Sequence, residues 1–278
     1  ALGITSDGKW LICATDDNKI LILDNTNQVA VTNELLGHTR SVTKIVVSPN
    51  NQYFISASID KTIRKWDLNN FKSEILVEDE TRINDIDISP DSKYMVYSTR
   101  DGQVRRLDVN DTSKVDIIRE SSNSSISSVK FNNSGSWLVI GASNGDLKIL
   151  DAENYNEIQN LEGGRFQIND IDFIASDQLM ATASQDGTVR LWDCIDLNNQ
   201  PIELKDHQSW ALSNKFSPDN KKLISTSKDK DRIIVWPIKT EYLANDLREL
   251  LSRNMTQDEW NIYVAEDIDY EKTLVNIN

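Results

Sequence analysis

The chain has 278 residues, 38% of them hydrophobic and 27% charged, with a formal net charge of −14. That excess of carboxylates argues against DNA or RNA as a partner, because such binding rests mainly on Lys and Arg neutralising phosphates. No apolar run approaches the roughly 20 residues that a membrane-spanning helix needs, so no membrane partner is expected.

In chain order, one pattern recurs six times. A run of β-forming residues leads into a Ser/Thr-x-Asp turn, and a second run closes on an aromatic or apolar residue. The second runs are Asp17–Asp24, Asp60–Asp67, Asp101–Asp108, Asn144–Asp151, Asp186–Asp193 and Asp229–Trp236, with first residues 43, 41, 43, 42 and 43 positions apart. A fixed period of this size marks a repeat architecture whose units must stack, because one unit cannot bury a face alone. The chain opens without Met and in mid-repeat: Ala1 to Thr5 match the later half of a first strand. The expectation is a piece of a longer protein.

The unit from Ser41 to Asp67 shows the local logic. Val42 and Ile45 to Val47 form a β-branched run, Ser48-Pro49-Asn50-Asn51 a turn, and Tyr53 to Ser58 a second strand. Asp60-Lys61 turns into Thr62–Trp66, Leu68 to Phe71 turn again, and Glu74 to Val77 form a fourth strand. Four antiparallel strands with short turns describe a propeller blade. Trp10, Tyr53, Tyr94 and Trp137 recur just before the second strand and are expected in the core.

These residues resemble the WD40 family. The Trp-Asp pairs are Trp66-Asp67 and Trp192-Asp193, and the Gly-His signature appears as Gly37-His38 and, weakened, as Asp206-His207. The resemblance implies an all-β propeller, most often a closed ring of seven blades. Six four-stranded blades are recognisable here over 1–238, and a seventh stays open. His38 precedes Asp60 by 22 residues, as His207 precedes Asp229. The family's buried hydrogen-bond chains would then be His38–Ser58–Asp60–Trp66 and His207–Ser227–Asp229–Trp236. The matched spacing favours this over a general base or a metal ligand, since buried polar groups need partners. The third and fourth blades lack the His and Trp, and the fifth has Gly163-Gly164 where His would fall.

Residues 239–278 read as a helical capping tail. Leu243, Leu247, Leu250 and Leu251 mark one helix face, and Thr256 to Glu259 form a capping box ahead of Trp260 and Tyr263. Arg253 to Thr256, Glu259-Trp260, Tyr263, Tyr270 and Lys272-Thr273 resemble the end of bacterial WD40 proteins whose propeller follows a STAND-type nucleotide-binding module or a caspase-like protease. This resemblance implies bacterial signalling and an upstream effector domain in the same polypeptide. The family tail usually ends in Thr-Cys, where Leu274 follows Thr273 here.

Catalytic motifs are lacking: there is no Gly-Lys-Ser/Thr loop, nucleophile elbow or HExxH. No catalytic residue, cofactor or metal is assigned. Cys13 and Cys194, the two cysteines, suggest neither a disulfide framework nor a zinc site, and a cytoplasmic setting is expected. Asp85, Asp87, Asp170 and Asp172 alternate along first strands and are expected to line a central channel. Loops on a rigid scaffold carry function. The first strands start at Arg40-Ser41, Thr81-Arg82, Ser124-Ser125, Phe166-Gln167 and Ser209-Trp210. Asp16, Ile59, Arg100, Ser143, Gln185 and Lys228 precede the turn acids, and both sets should ring one face. Trp210, Phe166, Arg82, Arg100, Arg40, Gln167 and Lys228 are the candidate partner-binding residues, given the weight of Trp and Arg in interfaces. The leading expectation is a non-catalytic sensing module that binds a protein or peptide. The alternatives are a propeller enzyme or small-ligand site in the channel, and a purely structural scaffold.

Overall fold

The computed structural model describes residues 1–26, 29–119, 124–229 and 232–238. The expected helical tail, 239–278, lies outside the described residues. Among the described residues, six antiparallel sheets follow one another along the chain. The first blade is β1 (Leu2–Ile4), β2 (Trp10–Ala14), β3 (Ile20–Asp24) and β4 (Ala30–Leu35). The second is β5 (Val42–Val47), β6 (Tyr53–Ser58), β7 (Thr62–Asp67) and β8 (Ser73–Glu78). The third is β9 (Ile83–Ile88), β10 (Tyr94–Thr99), β11 (Val104–Asp108) and β12 (Asp111–Arg119). The fourth is β13 (Ile126–Phe131), β14 (Trp137–Ala142), β15 (Asp146–Asp151) and β16 (Glu157–Glu162). The fifth is β17 (Ile168–Phe173), β18 (Leu179–Ser184), β19 (Val189–Asp193) and β20 (Ile202–Leu204). The sixth shows three strands among the described residues: β21 (Ala211–Phe216), β22 (Lys222–Ser227) and β23 (Ile233–Pro237).

Turn chemistry sets this regularity. Every first hairpin closes with a hydrogen bond from the fourth turn residue back to the first: Gly8 to Thr5, Asn51 to Ser48, Ser92 to Ser89, Gly135 to Asn132, Asp177 to Ile174 and Asn220 to Ser217. The fourth residue has positive φ in all six, a conformation that Gly adopts freely and Asn or Asp tolerate. The Ser/Thr-x-Asp turns repeat the device, with Lys61, Gly102 and Gly187 in the left-handed region and bonded back to Ser58, Thr99 and Ser184.

Blades pack face to face. Ile12, Ile20 and Ile22 of the first meet Ile45, Phe54 and Trp66 of the second, and four further clusters join each remaining neighbour pair. The first strands contact in sequence, β1 with β5, then β9, β13, β17 and β21, so they line the axis of the array. The recurrent aromatics sit at these seams: Tyr53 is buried, and Trp10, Tyr94 and Trp137 are half-buried. Trp10 packs edge-on against Phe71 at 5.9 Å, and the Tyr53 hydroxyl donates to the Ser92 carbonyl at 2.8 Å. At the two ends of the array, Leu2 and Ile4 on the first blade and Leu212, Ile224, Ile233 and Val235 on the sixth are exposed.

Candidate interaction face

The buried polar chain of the second blade runs through Ser56, not Ser58. The Trp66 indole Nε1 donates to Ser56 Oγ at 2.8 Å, which lies 2.7 Å from His38 Nε2; His38 Nδ1 lies 2.9 Å from Asp60 Oδ2. One proton arrangement serves every group: Nδ1–H donates to the carboxylate, and Nε2 accepts from the serine hydroxyl. Ser56 and Ser58 lie on the same side of β6, but Trp66 pairs with Phe54, so its indole reaches the nearer serine diagonally. Ser58, at the strand end, donates to the Arg40 carbonyl at 2.9 Å and accepts from Asp60 N at 3.1 Å.

The sixth blade repeats the correction. Ser225 joins Trp236 at 2.8 Å and His207 at 2.7 Å, while Ser227 Oγ, His207 Nδ1 and Asp229 Oδ2 are buried with no hydrogen-bond partner among the described residues. Burial holds the His38 imidazole below its usual pKa, against the opposing pull of Asp60. For Asp60, burial would raise the pKa, but bonds from Thr62, Thr39 and His38 bring it down to about 2. These histidines are structural joints. In the fifth blade, Trp192 Nε1 donates to Thr182 at 3.0 Å, and Arg190 binds Asp186 at 2.8 Å and Glu203 at 3.0 Å. A Cβ on Gly164 would come within 3.3 Å of that guanidinium, and Gly164 has φ +118. The glycine pair thus leaves room for Arg190 beside the position of the missing histidine.

The two loop sets predicted to share a face are hydrogen-bonded to each other. Ile59 N donates to Ser41 O, Arg100 N to Arg82 O, Ser143 N to Ser125 O, Gln185 N to Gln167 O and Lys228 N to Trp210 O, all at 2.8–3.0 Å. Arg40, Arg82, Arg100 and Lys228 are exposed and Gln167 half-buried. Phe166 is 54% exposed and Trp210 42%, with the Lys228 ammonium 4.1 Å above the indole. This cation–π pair presents one rigid aromatic with its charge already placed. Leu36, 71% exposed in the Arg40 loop, was missed from the sequence because it directly follows the alternating pattern of β4.

The channel aspartates are clamps between blades. Asp85 accepts from Ser128 Oγ and Val129 N, both at 3.0 Å, and pairs with Lys44 at 3.0 Å. Asp87 holds Phe131 N and Lys130 Nζ, each at 2.8 Å. Asp170 holds Ser213 at 2.7 Å and Asn214 N at 3.1 Å; Asp172 holds Phe216 N at 2.8 Å and pairs with Lys215. Asp85 and Asp170 keep the Lys44 ammonium above its usual pKa although burial opposes its charge. The channel is a cavity of about 490 Å³, and its carboxylates already have cations and amides as partners.

Four stretches, residues 30–67, 73–106, 113–151 and 155–193, match the family model "WD domain, G-beta repeat", together more than half of the chain. The chain belongs to the WD40 family. Among WD40 relatives, the human WD repeat and SOCS box-containing protein 1 is 34% identical over 100 residues, 36% of this chain and 24% of that protein. The Danio rerio protein of that name is 32% identical over 108 residues, 38% and 25%. The human DDB1- and CUL4-associated factor 10 is 28% identical over 109 residues, 39% and 19%. The chain thus matches about a quarter or less of the length of these curated relatives.

Proposed function

We propose that this propeller is a non-catalytic module that binds a protein or peptide on the face formed by the strand-start loops and the turns before the blade acids. The carrying observation is the exposed Trp210–Lys228 pair, in the blade next to exposed Phe166, with Arg40, Arg82 and Arg100 in the corresponding loops of other blades. Rigid aromatics and arginines supply most of the binding energy of protein interfaces. The names of the relatives support a protein partner: one group joins WD repeats to a SOCS box, and the other is named for association with DDB1 and CUL4. The channel reading has less support, since its carboxylates close onto lysines and backbone amides.

On this reading, the module passes occupancy to an effector domain in the same polypeptide, in a bacterial cytoplasm. The support for the effector and its bacterial setting is the tail motif around Arg253 and Trp260; two free cysteines fit the reducing compartment. The test is capture of partners by crosslinking in the native host with wild type, Trp210→Ala and Arg82→Ala. Both variants are expected to lose the wild-type partner by at least tenfold. Retention of every partner at wild-type affinity by both would refute the face.

A further inference from the structure

We propose that the side-wall cleft between the second and third blades is a docking groove for an extended peptide segment carrying aliphatic side chains and Lys or Arg. The cleft encloses about 500 Å³ and is lined by Leu76 and Val77 of β8, the acids that follow them, and Tyr97, Arg105, Val115 and Ile117 of the third blade. That volume falls within the range of formed binding sites, roughly 300–1,000 Å³.

Its floor is an uncovered piece of core. Val115 and Ile117 pair across β11 with Leu107 and Arg105. Leu107, Leu76 and Val77 belong to the buried cluster between the two blades. Val115 and Ile117 carry that cluster to the surface and remain 43% and 49% exposed. The position across from Arg105 is also aliphatic in the second blade, where Ile75, 47% exposed, faces Arg64, but polar in later blades: Lys148 faces Asn160, and Arg190 faces Glu203 with an ion pair of 3.0 Å. In the third blade it is Ile117, and Arg105 turns to Asp79 instead. Val115 and Ile117 therefore extend the apolar wall of the cavity to the surface, where a guest's aliphatic side chains can bury them.

Charge selects the occupant. Glu78, Asp79, Glu80 and Asp101 line the cleft against one lining cation, Arg105, which pairs with Asp79 and, at 3.8 Å, with Asp101 and lies 5.9 Å from the Tyr97 ring, leaving Glu78 and Glu80 uncompensated by it. The remaining field is negative over an apolar floor, which fits aliphatic anchors flanked by cations. A second copy fits poorly, since each chain carries a net charge of −14 and copies repel. The backbone favours an extended guest: β12 has nine residues and is the outermost strand of its sheet among the described residues, so its outer edge can add a strand.

The probe is a fluorescein-labelled decapeptide alternating Val or Ile with Lys, and its control has Glu in place of Lys. Anisotropy is expected to show saturable binding of the Lys peptide that weakens with added salt, and at least tenfold weaker binding of the Glu peptide. Ile117→Lys and, independently, Glu80→Lys are each expected to reduce affinity at least tenfold. Both sites are exposed, and unchanged melting temperatures verify folding. Trp210→Ala is expected to bind as wild type, which separates this groove from the face proposed above. Equal affinity for the two peptides, or wild-type affinity in both groove variants, overturns the proposal. So does a wild-type dimer in sedimentation that Ile117→Lys dissolves, which would assign the cleft to a second copy.

Discussion

Ser56 and Ser58 stand two residues apart on one face of β6, and only Ser56 joins Trp66 to His38. Sequence spacing does not separate them, since side chains in a strand alternate with a period of two and both serines point the same way. Replacing Ser56 by Ala strands a buried indole N–H and an imidazole nitrogen. The expected loss is about 1–3 kcal/mol in urea unfolding, larger than for Ser58→Ala. The histidines add a pH dependence. Burial lowers the pKa of both His38 and His207, so between the folded value and the unfolded value of about 6.5 the unfolded chain binds more protons. Their contribution is complete above about pH 6.5 and declines as the pH falls below it, by at most about 1.4 kcal/mol per pH unit for each histidine. Comparing urea midpoints of wild type and the His38→Gln/His207→Gln double variant from pH 7 to 5 tests this, and the variant should show the shallower fall.

At the scale of elements, the first strands do more than line a channel. β9 and β17 share the sequence Ile-Asn-Asp-Ile-Asp, and each presents its two aspartates to the first strand of the next blade. Period-two patterning announces that these carboxylates share a side. It cannot show that their acceptors are filled by backbone amides 44 residues away and, for Asp85, a serine hydroxyl 43 residues away. Asp172→Ala frees the Phe216 amide and Lys215 together, so β21 is expected to loosen from the fifth blade. The measurement is native-state hydrogen exchange: the Phe216 amide should exchange at least tenfold faster, while amides of β6 and β7 keep their protection. The first-hairpin turns were the most legible elements, because each needs one residue of positive φ and the chain supplies Gly, Asn, Asp or Ser there, whereas Lys61, Phe71 and Tyr155 take positive φ in later turns without such a signal.

At the scale of the molecule, the repeat period, the antiparallel blades and the two loop sets of the candidate face follow from the sequence alone, because each depends on contacts within about 42 residues that recur in every unit. The arrangement of side chains between blades does not. Arg190 fills the space beside Gly164, Lys228 covers Trp210, and the array ends on exposed Leu2, Ile4, Ile233 and Val235. The first two of these outcomes were settled by packing within and against a neighbouring blade. Local propensity sets which residues turn and which extend. Only the stacked sheets decide which of two equivalent serines is in reach, which carboxylates become clamps, and which aliphatic pair stays open to solvent.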